Sequence, residues 1–212
     1  MAISNTFTLL HWRREVSELF GEIRQFPLAE REQAWQLFRQ RRDTLLKHHP
    51  QTPLTQAQVV TFSEINYYPY DASWRLLADF EQLPLEEQHT IEMHLGSDGI
   101  ATVRTVGRLR FTAPGQASAT TLNAYWIDGY GGGMFLPFRD ATNNSETYGG
   151  GRYLLDTIKG ADLGYEGDKV ILDFNFAYNP SCSYNDHYVC PLSPPENTLP
   201  FAVCAGERTT VF

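Results

Sequence analysis

Apolar residues recur at Trp12, Val16, Leu19, Phe20 and Ile23, spacings of three and four that gather on one face of a helix. Arg13, Arg14, Glu15 and Glu18 fall on the opposite, wet face. Phe26-Pro27 interrupts this first helix. A second is predicted from about Leu28 to His48, with Glu30 and Glu32 near its start and Arg41, Arg42 and Lys47 near its end, where they complement the helix dipole. Pro50 stops it. Thr55-x-x-Gln58 has the form of a capping box and opens a short third helix.

From Ile65 onward the period shortens to two. In Ile100–Phe111 the positions 101, 103, 105, 107, 109 and 111 read Ala, Val, Thr, Gly, Leu and Phe, with Arg104, Arg108 and Arg110 between them. This is a half-buried strand with one polar face, and Gly107 marks a bulge or a close backbone approach. Further strands are predicted at Trp74–Phe80, Thr90–Leu95, Thr120–Tyr130, Met134–Phe138, Val170–Phe176 and Phe201–Glu207. Turn signals separate them at Ser97-Asp98-Gly99, Ala113-Pro114-Gly115 and Glu166-Gly167-Asp168. Many short strands at hairpin spacing give a fold class of α+β, mainly antiparallel β. The expected architecture is a barrel-like or sandwich β body (61–212) with an N-terminal helical arm (1–60), read as a single domain over 1–212.

Composition narrows the function classes. The chain has 212 residues and a formal charge of −8. The length is enough to bury a substantial core. A net acidic surface repels phosphate backbones, so no nucleic-acid partner is expected. The basic cluster Arg39, Arg41, Arg42 and Lys47 reads as a solvated helix end. No stretch approaches the roughly 18 apolar residues of a membrane span. Met1-Ala2-Ile3-Ser4-Asn5-Thr6 is not followed by the pattern of a signal peptide, so a soluble, cytoplasmic protein is expected, with no membrane partner. Cys182, Cys190 and Cys204 would then be mostly reduced, with a Cys182–Cys190 disulfide expected only in an oxidising compartment.

Residues 138–153 and 173–197 are dense in polar, aromatic and glycine residues. The first block reads Phe-Arg-Asp-Ala-Thr-Asn-Asn-Ser-Glu-Thr-Tyr-Gly-Gly-Gly-Arg-Tyr. The second runs Asp173-Phe-Asn-Phe-Ala-Tyr-Asn-Pro-Ser-Cys182 and continues through Cys190-Pro191 to Glu196-Asn197. Together with Leu136-Pro137 upstream and Ala205-Gly206-Glu207 downstream, this pattern resembles the uncharacterised prokaryotic family known as domain of unknown function 1684. The resemblance is specific in the C-terminal half and thinner around Trp12-Arg13 and Tyr68-Pro69-Tyr70-Asp71. It implies kinship of fold and no known activity. His187 and Cys204 stand outside the family pattern.

The same block supplies the candidate chemistry. Asp173 and Asn175 alternate with Leu172, Phe174 and Phe176 on one predicted strand, which would turn both polar groups into a lined cavity or out to solvent. Asp173 is the candidate general acid or base, unless it pairs structurally with Arg152 or Arg139. Arg139, Asp140, Tyr148, Arg152, Asn175 and Tyr178 are the candidate ligand-binding wall, with Arg152 or Arg139 the anion anchor beside glycines that admit a close backbone approach. Those glycines are equally explained by turns needing positive φ. The C-x7-C spacing of Cys182 and Cys190 is wrong for structural zinc, so no metal site is expected. Pro191, Pro194 and Pro195 read as a cover over a sheet edge. The expectation is a small-molecule, possibly anion-binding, protein or enzyme. The competing one is an interaction module in which the polar block is a structural clamp. The sequence names no cofactor and no oligomeric state.

Overall fold

The computed structural model describes residues 5–94 and 99–212. Helix α1 spans Asn5–Gln25, α2 Arg31–His48 and α3 Gln56–Thr61. Leu19, Phe20 and Ile23 of α1 are buried and Trp12 and Val16 pack against them, as the apolar stripe requires. Pro27 takes an extended backbone and a separate 3-10 turn, Leu28–Glu30, follows it, so α2 begins at Arg31 rather than Leu28. The capping box is complete: Gln58 N–H donates to Thr55 Oγ1 at 3.2 Å, and Thr55 N–H donates to Gln58 Oε1 at 2.8 Å. No helix among the described residues is long and apolar enough to cross a membrane.

Eight strands follow: β1 (Arg75–Gln82), β2 (Thr90–His94), β3 (Ile100–Phe111), β4 (Thr120–Ile127), β5 (Gly133–Phe138), β6 (Arg152–Asp156), β7 (Tyr165–Glu166) and β8 (Lys169–Asp173). They form one antiparallel sheet in the order β6-β5-β4-β3-β1-β8-β7, with β2 paired to the first half of β3. The sheet curls into a half-barrel. One face carries Val103, Tyr125, Phe135, Tyr153 and Ile171, which share a core with α1 and α2. The other carries Leu109, Leu122, Leu136, Leu154 and Leu172, packed with Trp74 and with Leu199, Val203 and Ala205 of the C-terminal chain.

Several predicted elements are corrected. Val170–Phe176 is not one strand: it ends at Asp173, and Phe174–Phe176 is a 3-10 turn. Phe201–Glu207 is irregular chain, tied down by Tyr68 N–H to Gly206 O at 3.0 Å and Glu207 N–H to Ala177 O at 2.9 Å. Strand β6 was not anticipated, because all five of its residues are buried and leave no alternation to read. The predicted strand end at Leu95, with Ser97 and Asp98, lies outside the described residues.

The bulge at Gly107 is present. Thr105 faces Tyr125 while Gly107 faces Ala124, so Val106 is left over. A Cβ on Gly107 would fall onto the Phe80 ring and stand 2.8 Å from the Glu81 carbonyl oxygen, so β1 can approach only a glycine here. The bulge also reverses the side-chain alternation. Arg104 pairs with Trp126 and Arg108 with Asn123, on opposite faces, so the arginines of β3 do not share one polar face as their spacing suggested.

Candidate functional site

Asp173 and Asn175 lie where strand gives way to turn. Asp173 Oδ1 accepts from the Asn175 backbone N–H at 3.1 Å and its Nδ2 at 2.8 Å. Asn175 closes the arrangement by accepting Asp71 N–H at 3.0 Å and donating to Asp71 O at 2.8 Å. The turn sends Phe174 against Trp74, Phe111 and Phe138 in one core, and Phe176 against Phe38 in the other. The aromatics therefore do not share a face, which corrects the alternation predicted for this segment. Asp173 Oδ2 is buried without a partner. Burial raises its carboxyl to about 6, against hydrogen bonds from Asn175 and the attraction of Arg75 and Arg31.

Arg152 and Asp140 form a buried ion pair at 2.8 Å, both side chains wholly enclosed. Arg152 also donates to the carbonyls of Ala205, Val203 and Glu207 and stacks on Phe138 at 5.0 Å. Asp140 accepts from Thr142 N–H at 2.8 Å and Val203 N–H at 3.2 Å. The enclosed guanidinium clamps the C-terminal chain through Nη1 and Nη2, while its Nε is buried without a partner. Gly151 takes φ of +92° beside it, and a Cβ there would stand 2.5 Å from Phe138 O. Arg139 contributes through its backbone, which bonds Asn197 O and Leu199 N–H at 2.8 Å each. Asn197 ties the proline segment to the sheet by donating to Pro137 O at 2.8 Å and Asn123 O at 2.9 Å. Tyr148 lies apart from these groups, its hydroxyl 3.5 Å from Cys182 Sγ.

A second buried network was not expected. Arg42 pairs with Glu207 at 2.8 Å, donates to Tyr67 at 3.0 Å and lies over the Tyr178 ring at 5.0 Å. Glu207 also accepts from the Tyr184 hydroxyl, from Asn179 N–H at 3.0 Å and from Asn179 Nδ2 at 3.1 Å. Burial raises the Glu207 carboxyl, and Arg42 is the largest influence opposing it. Within the basic cluster it is Arg42 that departs from a solvated helix end. Arg39 pairs with Glu64, Arg41 with Glu15 and Glu22, and Lys47 with the Phe62 carbonyl. Position gives the missed signal: Arg42 lies one turn beyond buried Phe38 and three residues before buried Leu45.

These clusters are knitted largely to the chain itself. A different place has polar groups facing open volume. On the sheet face shared with the helices, Thr105 and Arg108 of β3 stand beside Asn123 and Tyr125 of β4. The segment from Leu83 to His89 and Glu196 wall in a cavity of about 460 Å³ above them. Tyr125 is fully buried, and its hydroxyl makes no well-formed hydrogen bond; the Asn123 amide is the polar group that approaches it. Burial raises that phenol to about 12, with the Asn123 amide beside it pulling the other way. Arg108 forms no ion pair among the described residues. The sequence hid this site, because only the bulge brings Arg108 onto the face of Thr105 and Tyr125. A larger groove, about 620 Å³, lies between α1 and α2, but its His11 and His49 rings stack and bond each other at 3.0 Å.

A family profile described as a protein of unknown function, DUF1684, matches residues 60–208, and the chain belongs to that family. An uncharacterized protein of Haloarcula marismortui, solved by solution NMR, is 31% identical. The match covers 84% of this chain and 94% of that one, with a TM-score of 0.58. No curated protein matches.

Proposed function

We propose that the β body binds a small polar molecule in the cavity above Thr105, Arg108, Asn123 and Tyr125. The observation that carries this reading is the Tyr125 hydroxyl, buried on the cavity wall with no well-formed hydrogen bond and only the Asn123 amide acting on it. A buried polar atom left unpaired costs about 1–3 kcal/mol, a cost that a ligand accepting or donating there removes.

The lining sets the ligand class. Arg108 offers a planar fork for a carboxylate, while Thr105, Asn123 and Tyr125 offer neutral hydrogen-bonding groups. Glu86, Glu87 and Glu196 at the margin oppose a second negative charge and favour donors on the ligand. A small hydroxy acid or amino acid meets both demands. A thermal-shift screen of such acids tests the reading. One of them raises the melting temperature of the wild-type protein, and Tyr125→Phe and Arg108→Gln each abolish the rise while keeping the fold. Rises that survive both substitutions contradict it.

The clamp reading applies to a different set of residues. Asp140, Arg152, Asn175 and Glu207 hold the C-terminal chain and the turn after β8, and in this reading they support the β body rather than touch the ligand.

A further inference from the structure

Cys182 and Cys190 play no part in the cavity or in the buried networks. Cys182 lies in the 3-10 turn Ser181–Ser183, and its backbone N–H donates to Cys190 Sγ at 3.3 Å. The two thiols lie close enough for each to shift the protonation of the other. The Tyr148 hydroxyl donates to Cys182 Sγ at 3.5 Å from the other side. Both residues are partly exposed, which leaves a small reagent a route to them.

The surroundings hold this pair together. Tyr148 is fixed through its carbonyl, which accepts from Asn143 Nδ2 at 2.6 Å and Gly151 N–H at 3.1 Å. Gly150 lies against its ring, where a Cβ would collide with the phenol. The Cys190 side is fixed next door, where the Tyr153 hydroxyl donates to the Pro191 carbonyl at 2.6 Å. Between them the loop bonds to the chain before α3, with Asn185 Nδ2 donating to Pro53 O at 3.0 Å. Anchored neighbours therefore hold the Cys190 sulfur against the Cys182 backbone.

We propose that Cys182 and Cys190 are a reversible thiol–disulfide site for small peroxides, with Cys182 the attacking sulfur and Cys190 the resolving one. The Tyr148 hydroxyl donates to the Cys182 sulfur and the Cys190 thiol lies beside it, and both favour its thiolate. They hold Cys182 at about 6, while Cys190, beside that thiolate and partly buried, is pushed up. The Cys182 thiolate attacks one peroxide oxygen, the O–O bond breaks, and the departing oxygen leaves as an alcohol or water after taking a proton. The Cys190 sulfur then attacks the Cys182 sulfenic acid, its own proton leaving with the hydroxyl as water. Two thiols and one peroxide give one disulfide, one water and one alcohol or second water. A dithiol reductant reverses the change.

Cys204 serves as an internal control. It is exposed, but burial of its sulfur together with Glu146 and Asp140 raises its thiol.

The test uses the full chain and hydrogen peroxide. Native protein at pH 7 is exposed to one equivalent, remaining thiols are alkylated, and peptides are mapped by mass spectrometry. The expected product is a Cys182–Cys190 disulfide with Cys204 alkylated, reversed by dithiothreitol. Without peroxide, iodoacetamide should modify Cys182 with a pH midpoint near 6, and at pH 7 on the order of tenfold faster than Cys204. Tyr148→Phe should move that midpoint up, and Cys190→Ala should leave a sulfenic acid on Cys182 that dimedone traps. Oxidation falling on Cys204 first, or a Cys182 midpoint equal to that of Cys204, overturns the proposal. Both of those readouts come from the wild-type chain and do not depend on any variant folding.

Discussion

Arg42 of α2 and Glu207 of the C-terminal chain meet at 2.8 Å, 165 residues apart in sequence, with the Glu207 side chain wholly enclosed. This pair joins the helical arm to the end of the chain. Removing one member of such a buried pair leaves the other charge without its partner, which typically costs about 3–5 kcal/mol. Arg42→Met should therefore lower the free energy of urea unfolding by about that much. Arg42→Met with Glu207→Met should recover a good part of the loss, because no charge is then stranded. Independent, additive losses would show that the pairing does not carry the seam.

Two glycines give opposite expectations. Gly21 lies inside α1 with only the Arg24 guanidinium near, at 3.7 Å, so Gly21→Ala should raise stability by about 0.5–1 kcal/mol. Gly107→Ala places its methyl against the Phe80 ring and the Glu81 carbonyl, and backbone cannot step aside cheaply. It should lower stability by about 1–3 kcal/mol. Chemical denaturation of both variants against wild type measures the two signs.

Asp173 makes a pH prediction. Its carboxyl is raised from 3.8 to about 6 in the folded chain, chiefly by burial. The folded state then binds more protons than the unfolded one between those two values, so this group's contribution falls as pH rises through them. The loss is on the order of 3 kcal/mol, complete above the folded value. Asp173→Asn keeps the Oδ1 acceptor for Asn175 and removes the titration. From pH 4 to pH 7 the wild-type protein should lose stability relative to the variant. Parallel stability curves would place the charge in a solvated setting instead.

Much of the fold was legible because one face of each early element is wet. The α1 stripe, the Thr55 capping box and the Gly107 bulge each left a local pattern that geometry then satisfied. Strand β6 left none, since it is buried on both faces and alternation vanishes there. The candidate site was less legible for a related reason. Asp140, Arg152 and Asn175 are polar residues rich in hydrogen-bonding capacity, and sequence spacing does not say whether a ligand or the chain's own carbonyls will use it. The structure brings them against backbone. Thr105, Arg108, Asn123 and Tyr125 looked ordinary in sequence, and a one-residue bulge put them around an opening.

Binding at that opening is tested most directly by titrating isotope-labelled protein with small hydroxy and amino acids and following backbone amide shifts by NMR. Saturable shifts should begin at Thr105, Arg108, Asn123 and Tyr125 and leave the Arg152 and Glu207 networks unmoved. A ligand whose shifts centre on Asp140 and Arg152, or no saturable shift from any acid of this class, would contradict the assignment of the cavity.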